Sequence, residues 1–262
     1  MARHFFLDRG TIKKGRAYIT GGEARHIVAV LRMKAGDAIR LIDQEGWEYR
    51  AVISAGSAQR VEVALIETCP PAEAPGRRIL LGQALPKFQK MDYIVQKATE
   101  LGVSGIIPFV SSRSVGRAGA DQLRTKRLRW QKIAQEATKQ CGRRLVPPVE
   151  KVSSFHNVVQ SDHENSLKII LWEDEKRIGF KEIVSRSSHY KNTIVLVGPE
   201  GGFTAGEVEL AEGCGYQPVS LGRHIMRTET ASLYVLSVLH YEWEEQAQGN
   251  PCKPDANRCP AG

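Results

Sequence analysis

The first third of the chain alternates apolar and polar residues in short runs. Apolar side chains fall at every second position across residues 38–41, 47–53 and 61–65. A period of two is typical of strands that bury one face, so these runs predict a small antiparallel meander. A short helix is predicted over 23–31, between the first strands. We therefore expect a compact β domain at residues 1–69, of a size that often serves as a nucleic-acid-binding accessory.

Beyond residue 76 the pattern changes to strands that alternate with helices. The segment 69–76 holds three prolines and a glycine, which suits neither a helix nor a central strand and marks the domain boundary. The pattern predicts strands at 79–85, 106–110, 168–172, 193–197 and 218–221, and helices at 88–101, 121–141, 205–213 and 228–243. Such alternation indicates an α/β domain with a largely parallel sheet, over residues 77–246. Residues 247–262 are predicted to be a disordered tail.

Positive charge is concentrated in one segment of the chain. The 262 residues include 37 lysines and arginines against 29 aspartates and glutamates, a net charge of +8. Residues 113–144 contain ten of the basic residues and two of the acidic ones, so this basic segment accounts for the whole excess. Such a concentration is expected of a protein that neutralises nucleic-acid phosphates, although a solvated helix face gives the same pattern.

Composition argues against a membrane protein and against a metal centre. No apolar run approaches the roughly 20 residues of a membrane-spanning helix, and the first ten residues hold no apolar stretch of signal-peptide length. We therefore expect a cytoplasmic protein with no membrane partner. The five cysteines are scattered and form no CxxC pair, so they are expected to be free thiols that bind no structural metal.

A first glycine-containing loop stands where the strand predicted at 193–197 ends. It consists of Gly198-Pro199-Glu200-Gly201-Gly202-Phe203 and leads into a helix that Thr204 can cap. Glycines at this edge of an α/β sheet let a ligand approach the backbone closely, although a plain tight turn uses the same residue types. The loop matches neither the dinucleotide fingerprint nor the nucleoside-triphosphate fingerprint.

A second unusual loop follows the strand predicted at 218–221. It consists of Leu221-Gly222-Arg223-His224-Ile225-Met226-Arg227 and leads into a helix that Thr228 or Thr230 can cap. An arginine beside a helix N-terminus can hold an anionic group, with Glu229 to orient it, although an ordinary capped helix has the same pattern. Because loops on successive strand ends lie side by side, the two loops predict one pocket.

The two loops, in this order and at this separation, resemble the RsmE family, the 16S ribosomal RNA uridine N3-methyltransferases of the SPOUT superfamily. Residues 81–103 resemble that family's first strand and helix, and residues 130–143 resemble its basic helix. The similarity extends over about residues 3–243. One departure is Arg223-His224, where many relatives have Pro-Arg, and the tail is extra.

The resemblance implies a fold and an activity. The fold is a PUA-like β-barrel domain followed by an α/β SPOUT methyltransferase domain whose C-terminal segment forms a trefoil knot. A homodimer is also implied; the nearly all-round apolar last helix is compatible with it, although burial within one domain accounts for that helix as well. The implied activity is S-adenosylmethionine-dependent methylation of uridine N3, with 16S ribosomal RNA or the small ribosomal subunit as partner.

Within this resemblance we assign roles to individual residues. Arg227 stabilises negative charge on the base or holds a phosphate, and Glu200 or Glu229 accepts the proton from N3. Trp172 belongs either to the pocket or simply to the core. The residues assigned to bind S-adenosylmethionine are Leu171, Leu196, Gly198, Pro199, Glu200, Gly201, Gly202, Leu221, Gly222, Ile225, Met226, Arg227, Thr228, Thr230 and Ala231. The residues assigned to bind RNA are Arg3, Arg113, Arg117, Arg124, Arg127, Arg143 and Arg144.

Two other functions stay open at this point. Another SPOUT activity, ribose 2′-O-methylation, shares the cofactor and the fold and differs in the acceptor atom. A non-catalytic RNA-binding or ribosome assembly factor would use the basic segment alone and would not bind the cofactor. The paired glycine loops favour an enzyme, because a basic surface explains affinity for RNA but not a pocket.

Overall fold

The computed structural model describes residues 4–71, 76–114, 119–161, 163, 165–176, 178–185 and 190–248. Arg3 and Arg117, two of the predicted RNA-binding residues, lie outside these ranges, as do residues 249–262 of the predicted tail. Within these ranges the chain forms two sheets, one of five strands and one of six.

The amino-terminal sheet confirms the predicted β domain and adds one parallel strand pairing to it. Its strands are β1 (His4–Phe6), β2 (Arg16–Thr20), β3 (Ala38–Ile42), β4 (Glu48–Gly56) and β5 (Arg60–Cys69), in the order β1-β3-β4-β5-β2. The antiparallel meander is confirmed for β3, β4 and β5. However, β1 pairs with β3 in parallel, and the Leu7 amide extends this pairing by donating to the Ile42 carbonyl at 2.9 Å. This parallel pairing involves residues outside the predicted meander.

A short helix covers the apolar face of this sheet, where one was predicted. This helix, α1 (Gly21–Arg25), continues into a π-helical turn over His26–Val30. It packs through the buried side chains of Ala24 and Ile27 on the core of the domain. The alternating strand pattern has its expected physical basis, because successive strand residues point to opposite faces and only one face is covered.

The second sheet is parallel throughout the described residues, which confirms the predicted α/β class. Its strands are β6 (Arg78–Ala84), β7 (Gly105–Val110), β8 (Ser153–Ser154), β9 (Ser166–Leu171), β10 (Asn192–Val197) and β11 (Gln217–Val219), in the order β11-β9-β10-β6-β7-β8. The accompanying helices are α2 (Lys90–Glu100), α3 (Ala120–Cys141), α4 (Phe155–Gln160), α5 (Phe180–Ser185), α6 (Ala205–Gly213) and α7 (Thr228–Gln248).

Three short elements of this domain were not predicted. Strand β8 and helices α4 and α5 contain two to six residues each, fewer than the window over which a periodic pattern can be recognised. Helix α7 runs to Gln248 and not to residue 243, so it enters the segment predicted as a tail. The trefoil knot and the domain bounds 1–69 and 77–246 stay predictions.

Helices α2, α3 and α7 pack together beside the second sheet. One face of α2 is buried through Met91, Ile94, Val95 and Ala98, at the helical spacing that the sequence suggested. None of the helices formed by the described residues is long and apolar enough to cross a membrane.

The basic segment joins the two sheets. Lys139 of α3 forms an ion pair with Glu23 of α1. Just beyond α3, Arg144 Nη2 lies 2.7 Å from a carboxylate oxygen of the buried Glu48 in β4. The side chain of Leu145 packs against Gly46 in the turn before β4. Two of the positive charges in this segment, Lys139 and Arg144, therefore hold the two parts of the protein together.

Candidate functional site

A cavity opens at the carboxyl ends of β9, β10 and β11, which are neighbours in the second sheet. The two glycine-containing loops enclose it, together with the residues that follow β9, as the sequence predicted. Its volume is about 450 Å³, within the range of small-molecule sites. The edge of an open α/β sheet beyond the strand ends is also where ligands bind in this fold class.

Most of the residues assigned to the pocket line this cavity. These are Leu171, Gly198, Pro199, Glu200, Gly202, Leu221, Gly222, Ile225, Met226, Arg227, Thr228 and Ala231. Leu196, Gly201 and Thr230 do not line it. Leu196 packs in the core on the opposite face of β10, Gly201 faces the side chain of Arg113, and Thr230 is exposed to solvent.

The cavity also includes residues to which the sequence assigned no role. These are Glu173, Val197, Val219, Ser220, Arg223 and His224. Val197 could have been found from the sequence, because side chains alternate along a strand and Leu196 and Val197 must face opposite sides. Trp172 both lines the cavity and packs on the neighbouring core cluster. The two alternatives considered for it, the pocket and the core, therefore do not exclude each other.

Gly202 is held tightly in the first loop. Its φ is +67°, and a Cβ at this position would overlap the carboxylate of Glu173. The loop is also fixed from outside, because Arg113 Nη1 donates a hydrogen bond to the Gly201 carbonyl at 2.6 Å. On the far side, Thr204 and Glu207 form a capping box that starts α6. These contacts fix the backbone that forms one wall of the cavity.

A buried hydrogen-bond network connects the two loops from beneath. The Thr228 hydroxyl donates to the Gly198 carbonyl at 2.6 Å, so the start of α7 is tied to the first loop. Gln83 of β6 donates from Nε2 to Thr228 Oγ1 at 2.9 Å, and it accepts from the Ser232 hydroxyl at 2.6 Å. Gln83 and Ser232 are fully buried. Sequence reasoning missed both, since a lone glutamine in a strand gives no signal of its partners.

A cluster of charges stands at the cavity beside Glu200. The Glu200 carboxylate lies 2.9 Å from Lys90 Nζ and accepts a hydrogen bond from the Lys87 amide at 3.1 Å. Lys90 Nζ also lies 3.3 Å from Glu229 Oε2. Lys90 was not predicted as a site residue. It brings together the two carboxylates that the sequence proposed as proton acceptors.

These contacts shift two pKa values. Partial burial raises the pKa of Glu200, but its hydrogen bonds with Lys90 and with backbone amides outweigh burial and hold this pKa below its ordinary value. The same hydrogen bond with Glu200 raises the pKa of Lys90, with a further contribution from Glu229. Glu200 and Lys90 are therefore both charged at neutral pH, and Glu200 is a weak base.

Replacing Lys90 with methionine is expected to reduce stability at neutral pH more than at acid pH. Because the pKa of Glu200 is lower in the folded protein than the unfolded value of about 4.3, its ionised form stabilises the fold above that value. This stabilisation is lost as the pH falls through the folded pKa. We expect Lys90→Met to lower the free energy of unfolding by about 0.5 kcal/mol at neutral pH, measured by urea denaturation. Equal losses at neutral pH and near pH 3 would contradict the prediction, and Lys87→Met, at an exposed lysine, is the control.

Several of the predicted RNA-binding arginines are engaged within the protein. Arg113 holds the Gly201 carbonyl, Arg127 Nε donates to the Val149 carbonyl at 2.8 Å, and Arg143 Nη1 donates to the Thr99 carbonyl at 2.8 Å. Burial lowers the pKa of Arg143. Arg144 is paired with Glu48. Of the described members of the set, Arg124 is the one that is exposed and for which no such contact is found.

No group of three or more histidine, cysteine, aspartate or glutamate side chains suited to a metal occurs in the part of the chain that the structure describes. Free thiols were expected, and Cys69, Cys141 and Cys214 are free in the structure. Cys252 and Cys259 lie outside the described residues.

The fold and the cavity are those of an α/β protein that binds a small molecule. Comparison with known families identifies which class of protein this is. Residues 72–240 match a family described as the RNA methyltransferase domain, and residues 19–66 match one described as the RNA methyltransferase PUA domain. The chain is thus an RNA methyltransferase with an amino-terminal PUA domain. It belongs to the family of ribosomal RNA small subunit methyltransferase E.

Individual relatives cover nearly the whole chain. Ribosomal RNA small subunit methyltransferase E of Bacillus subtilis (strain 168) is 37% identical over 251 residues, which cover 93% of this chain and 98% of that protein. The structure of the corresponding protein from Neisseria gonorrhoeae, bound to S-adenosylmethionine, has a TM-score of 0.82 at 27% identity and covers 92% of this chain and 98% of that one. A putative methyltransferase from Legionella pneumophila, in complex with the same cofactor, has a TM-score of 0.81 at 28% identity, with 92% and 98% coverage.

Proposed function

We propose that this protein transfers the methyl group of S-adenosylmethionine to N3 of a uridine in 16S ribosomal RNA. The observation that carries the proposal is the cavity at the ends of β9, β10 and β11, which is enclosed by the two glycine-containing loops. Relatives with the same fold hold S-adenosylmethionine, and the relatives' names specify ribosomal RNA of the small subunit. The choice of uridine N3 rests on the resemblance of the two loops to the RsmE family.

The residues around the cavity fit this cofactor in charge and in shape. The carboxylates of Glu173 and Glu200 suit a ligand that carries a positively charged sulfonium and an ammonium group. Leu171 and Ile225 offer apolar surface to its adenine ring. Gly222 has a φ of +115° and open space where a side chain would stand, so a ligand can reach its backbone.

S-adenosylmethionine, when bound, supplies a methyl group that is already activated on sulfur. The residues of this chain then have to align the acceptor, exclude water and manage one proton. Arg227 lines the cavity and is exposed at its rim, where its guanidinium would stabilise the negative charge that uridine N3 acquires on losing its proton.

The proton acceptor is constrained by the charges at the site. Glu200 lines the cavity, but its lowered pKa and its contact with Lys90 oppose the uptake of a proton. Glu229 does not line the cavity. It contacts Lys90, which in turn pairs with Glu200 at the cavity. We therefore assign the larger share of catalysis to charge stabilisation by Arg227, and we retain Glu200, which lines the cavity, as the proposed acceptor of the N3 proton.

The exposed positive charges of α3 are the proposed contact with the RNA backbone. Arg124, Lys126 and Lys132 point to solvent, whereas Arg127 and Arg143 hold backbone carbonyls. Each phosphate contact adds roughly 0.7 to 0.9 to the slope of log affinity against log salt concentration. RNA binding should therefore depend on the exposed set and not on the engaged arginines.

Replacing Arg124, Lys126 and Lys132 together with glutamine is expected to flatten this salt slope by about 2, with little change in stability. The measurement is filter binding of 16S ribosomal RNA transcribed in vitro, at several salt concentrations. Arg127→Gln is the matched control, because it should leave the slope unchanged and lower the free energy of unfolding by about 1 kcal/mol. The opposite pattern, with the slope changed by the control alone, would refute the assignment.

We also propose that the protein is a homodimer that acts in the cytoplasm, where ribosomal RNA is the substrate. Helix α7 buries Val235, Leu236 and Leu239 in its own domain and leaves Tyr234 and Tyr241 exposed, so one side of it is available to a second copy. Light scattering of the purified protein measures this directly, and a monomer at micromolar concentration would contradict it.

Two measurements test the proposed activity. Calorimetric titration of the purified protein with S-adenosylmethionine should give saturable binding, and 16S ribosomal RNA incubated with both should yield 3-methyluridine in mass spectra of its nucleosides. A 2′-O-methylated nucleoside would instead identify the ribose as the acceptor. Binding of RNA without any binding of the cofactor would identify an assembly factor and not an enzyme.

A further inference from the structure

Phe88 is an aromatic residue that the fold itself does not use. Its side chain is 93% exposed, the largest exposure among the exposed large apolar residues of the described chain. Its φ is +57°, a conformation that residues with a Cβ adopt rarely and that glycine adopts freely. The residue contributes no burial to the core, and its backbone is unfavourable for phenylalanine. Both observations indicate that this side chain serves to contact a binding partner and does not stabilise the fold.

Phe88 stands between the cavity and the basic surface of α3. The amide of Lys87, the preceding residue, donates to Glu200, which lines the cavity. The following residue, Gln89, lies at the end of a groove between α2 and α3, which Lys132 also lines. The ring therefore projects to solvent between a residue that contacts the cavity wall and a residue that lines the groove beside α3.

The surroundings of the ring favour a single flat partner over a protein surface. Lys87 and Gln89, its neighbours along the chain, are exposed and polar, so they form no continuous apolar patch with it. The core of a protein interface requires such a patch. A nucleobase does not, because it stacks one face on one aromatic ring while its phosphates lie near positive charges.

We propose that Phe88 is a stacking platform for a base of the RNA strand that reaches the cavity. This inference rests on the proposed function, in that the substrate is RNA, and adds a specific residue that holds it. The base that stacks there is held beside the cavity while the acceptor uridine enters it. An extruded base must give up its stacking in the RNA, and the ring replaces part of that loss.

Three substitutions at this position separate stacking from structure. Phe88→Gly is expected to raise the melting temperature, because glycine removes the backbone strain, and yet to weaken RNA binding by about 5- to 150-fold, the loss that corresponds to one stacked base. Phe88→Leu keeps an apolar side chain without an aromatic face, and it should still bind RNA at least about fivefold more weakly than the original protein does. Phe88→Tyr keeps the face and should bind within about twofold of the original protein.

The probe is 16S ribosomal RNA transcribed in vitro, and affinity for S-adenosylmethionine should be unchanged in all three variants. Asn165→Gly is the matched control, because Asn165 is exposed, uncharged and also at positive φ (55°), and its replacement should leave RNA affinity unchanged. Unchanged RNA affinity in Phe88→Gly would overturn the inference, as would a switch in oligomeric state at constant RNA affinity. Failure of the original protein to transfer a methyl group would instead refute the proposed function, and the comparison of RNA affinities would still stand.

Discussion

Gly202→Ala is expected to weaken binding of S-adenosylmethionine by about tenfold or more, equivalent to at least about 1.4 kcal/mol. Alanine at φ +67° costs roughly 1 to 2 kcal/mol in conformational energy. Its Cβ would also overlap the carboxylate of Glu173, which lines the same cavity. The loop and Glu173 must therefore both move, and the wall of the cavity moves with them. Calorimetric titration measures the affinity, and urea denaturation measures the accompanying loss of stability.

The control for this substitution is Gly206→Ala in α6. Gly206 lies in the first turn of α6, the helix that the first loop leads into, and a Cβ there meets open space. Alanine is the better helix former by up to about 1 kcal/mol, so this variant should be slightly more stable and bind the cofactor normally. If Gly202→Ala bound the cofactor as well as Gly206→Ala does, the first loop would not form the wall of the cofactor site.

Gln83→Leu is expected to lower the free energy of unfolding by about 2 kcal/mol. The substitution keeps a buried side chain of similar size but removes the hydrogen bonds that Gln83 makes with Thr228 and Ser232. Both partners are buried and cannot turn to water instead. The start of α7 is then held to the first loop by the bond from Thr228 to the Gly198 carbonyl alone. We therefore expect weaker cofactor binding as well as lower stability.

Two comparisons make this prediction specific. Gln96→Leu, at an exposed position of α2, makes the same chemical change and should alter stability by less than about 0.5 kcal/mol. The double variant Gln83→Leu with Thr228→Val should cost less than the sum of the single variants, because fewer buried polar groups are left without partners. Additive losses from urea denaturation would show that the two side chains do not act as one network.

The core of the second domain was largely predictable because its pattern is local. The apolar spacing in α2 appears in the sequence as it appears in the structure, and the parallel sheet follows from alternating elements. The pairing of β1 with β3 was not predictable in this way, since three residues carry no information about the direction of their partner strand. The helices α4 and α5 were not predicted either, because six residues are too few to show a helical period.

The basic segment shows where composition stops being informative. Its excess charge is visible in the sequence, and an RNA-binding surface was a justified prediction. Arg127 and Arg124 are alike in the sequence and lie one turn apart on α3. Only the fold brings the Val149 carbonyl to Arg127 and leaves Arg124 in solvent. Which charges remain for RNA is decided by contacts with distant segments.

What the sequence by itself determined is the class of fold, the two loops and the location of the cavity, because each depends on residues that are close along the chain. The tertiary structure alone decided the hydrogen bonds of Gln83 with Thr228, which are 145 positions apart, and the contact of Lys90 with Glu200 and Glu229. It also decided that Phe88 is exposed. The physical reason is that burial and pairing depend on segments that are remote in sequence. A local pattern of residues carries no information about those segments.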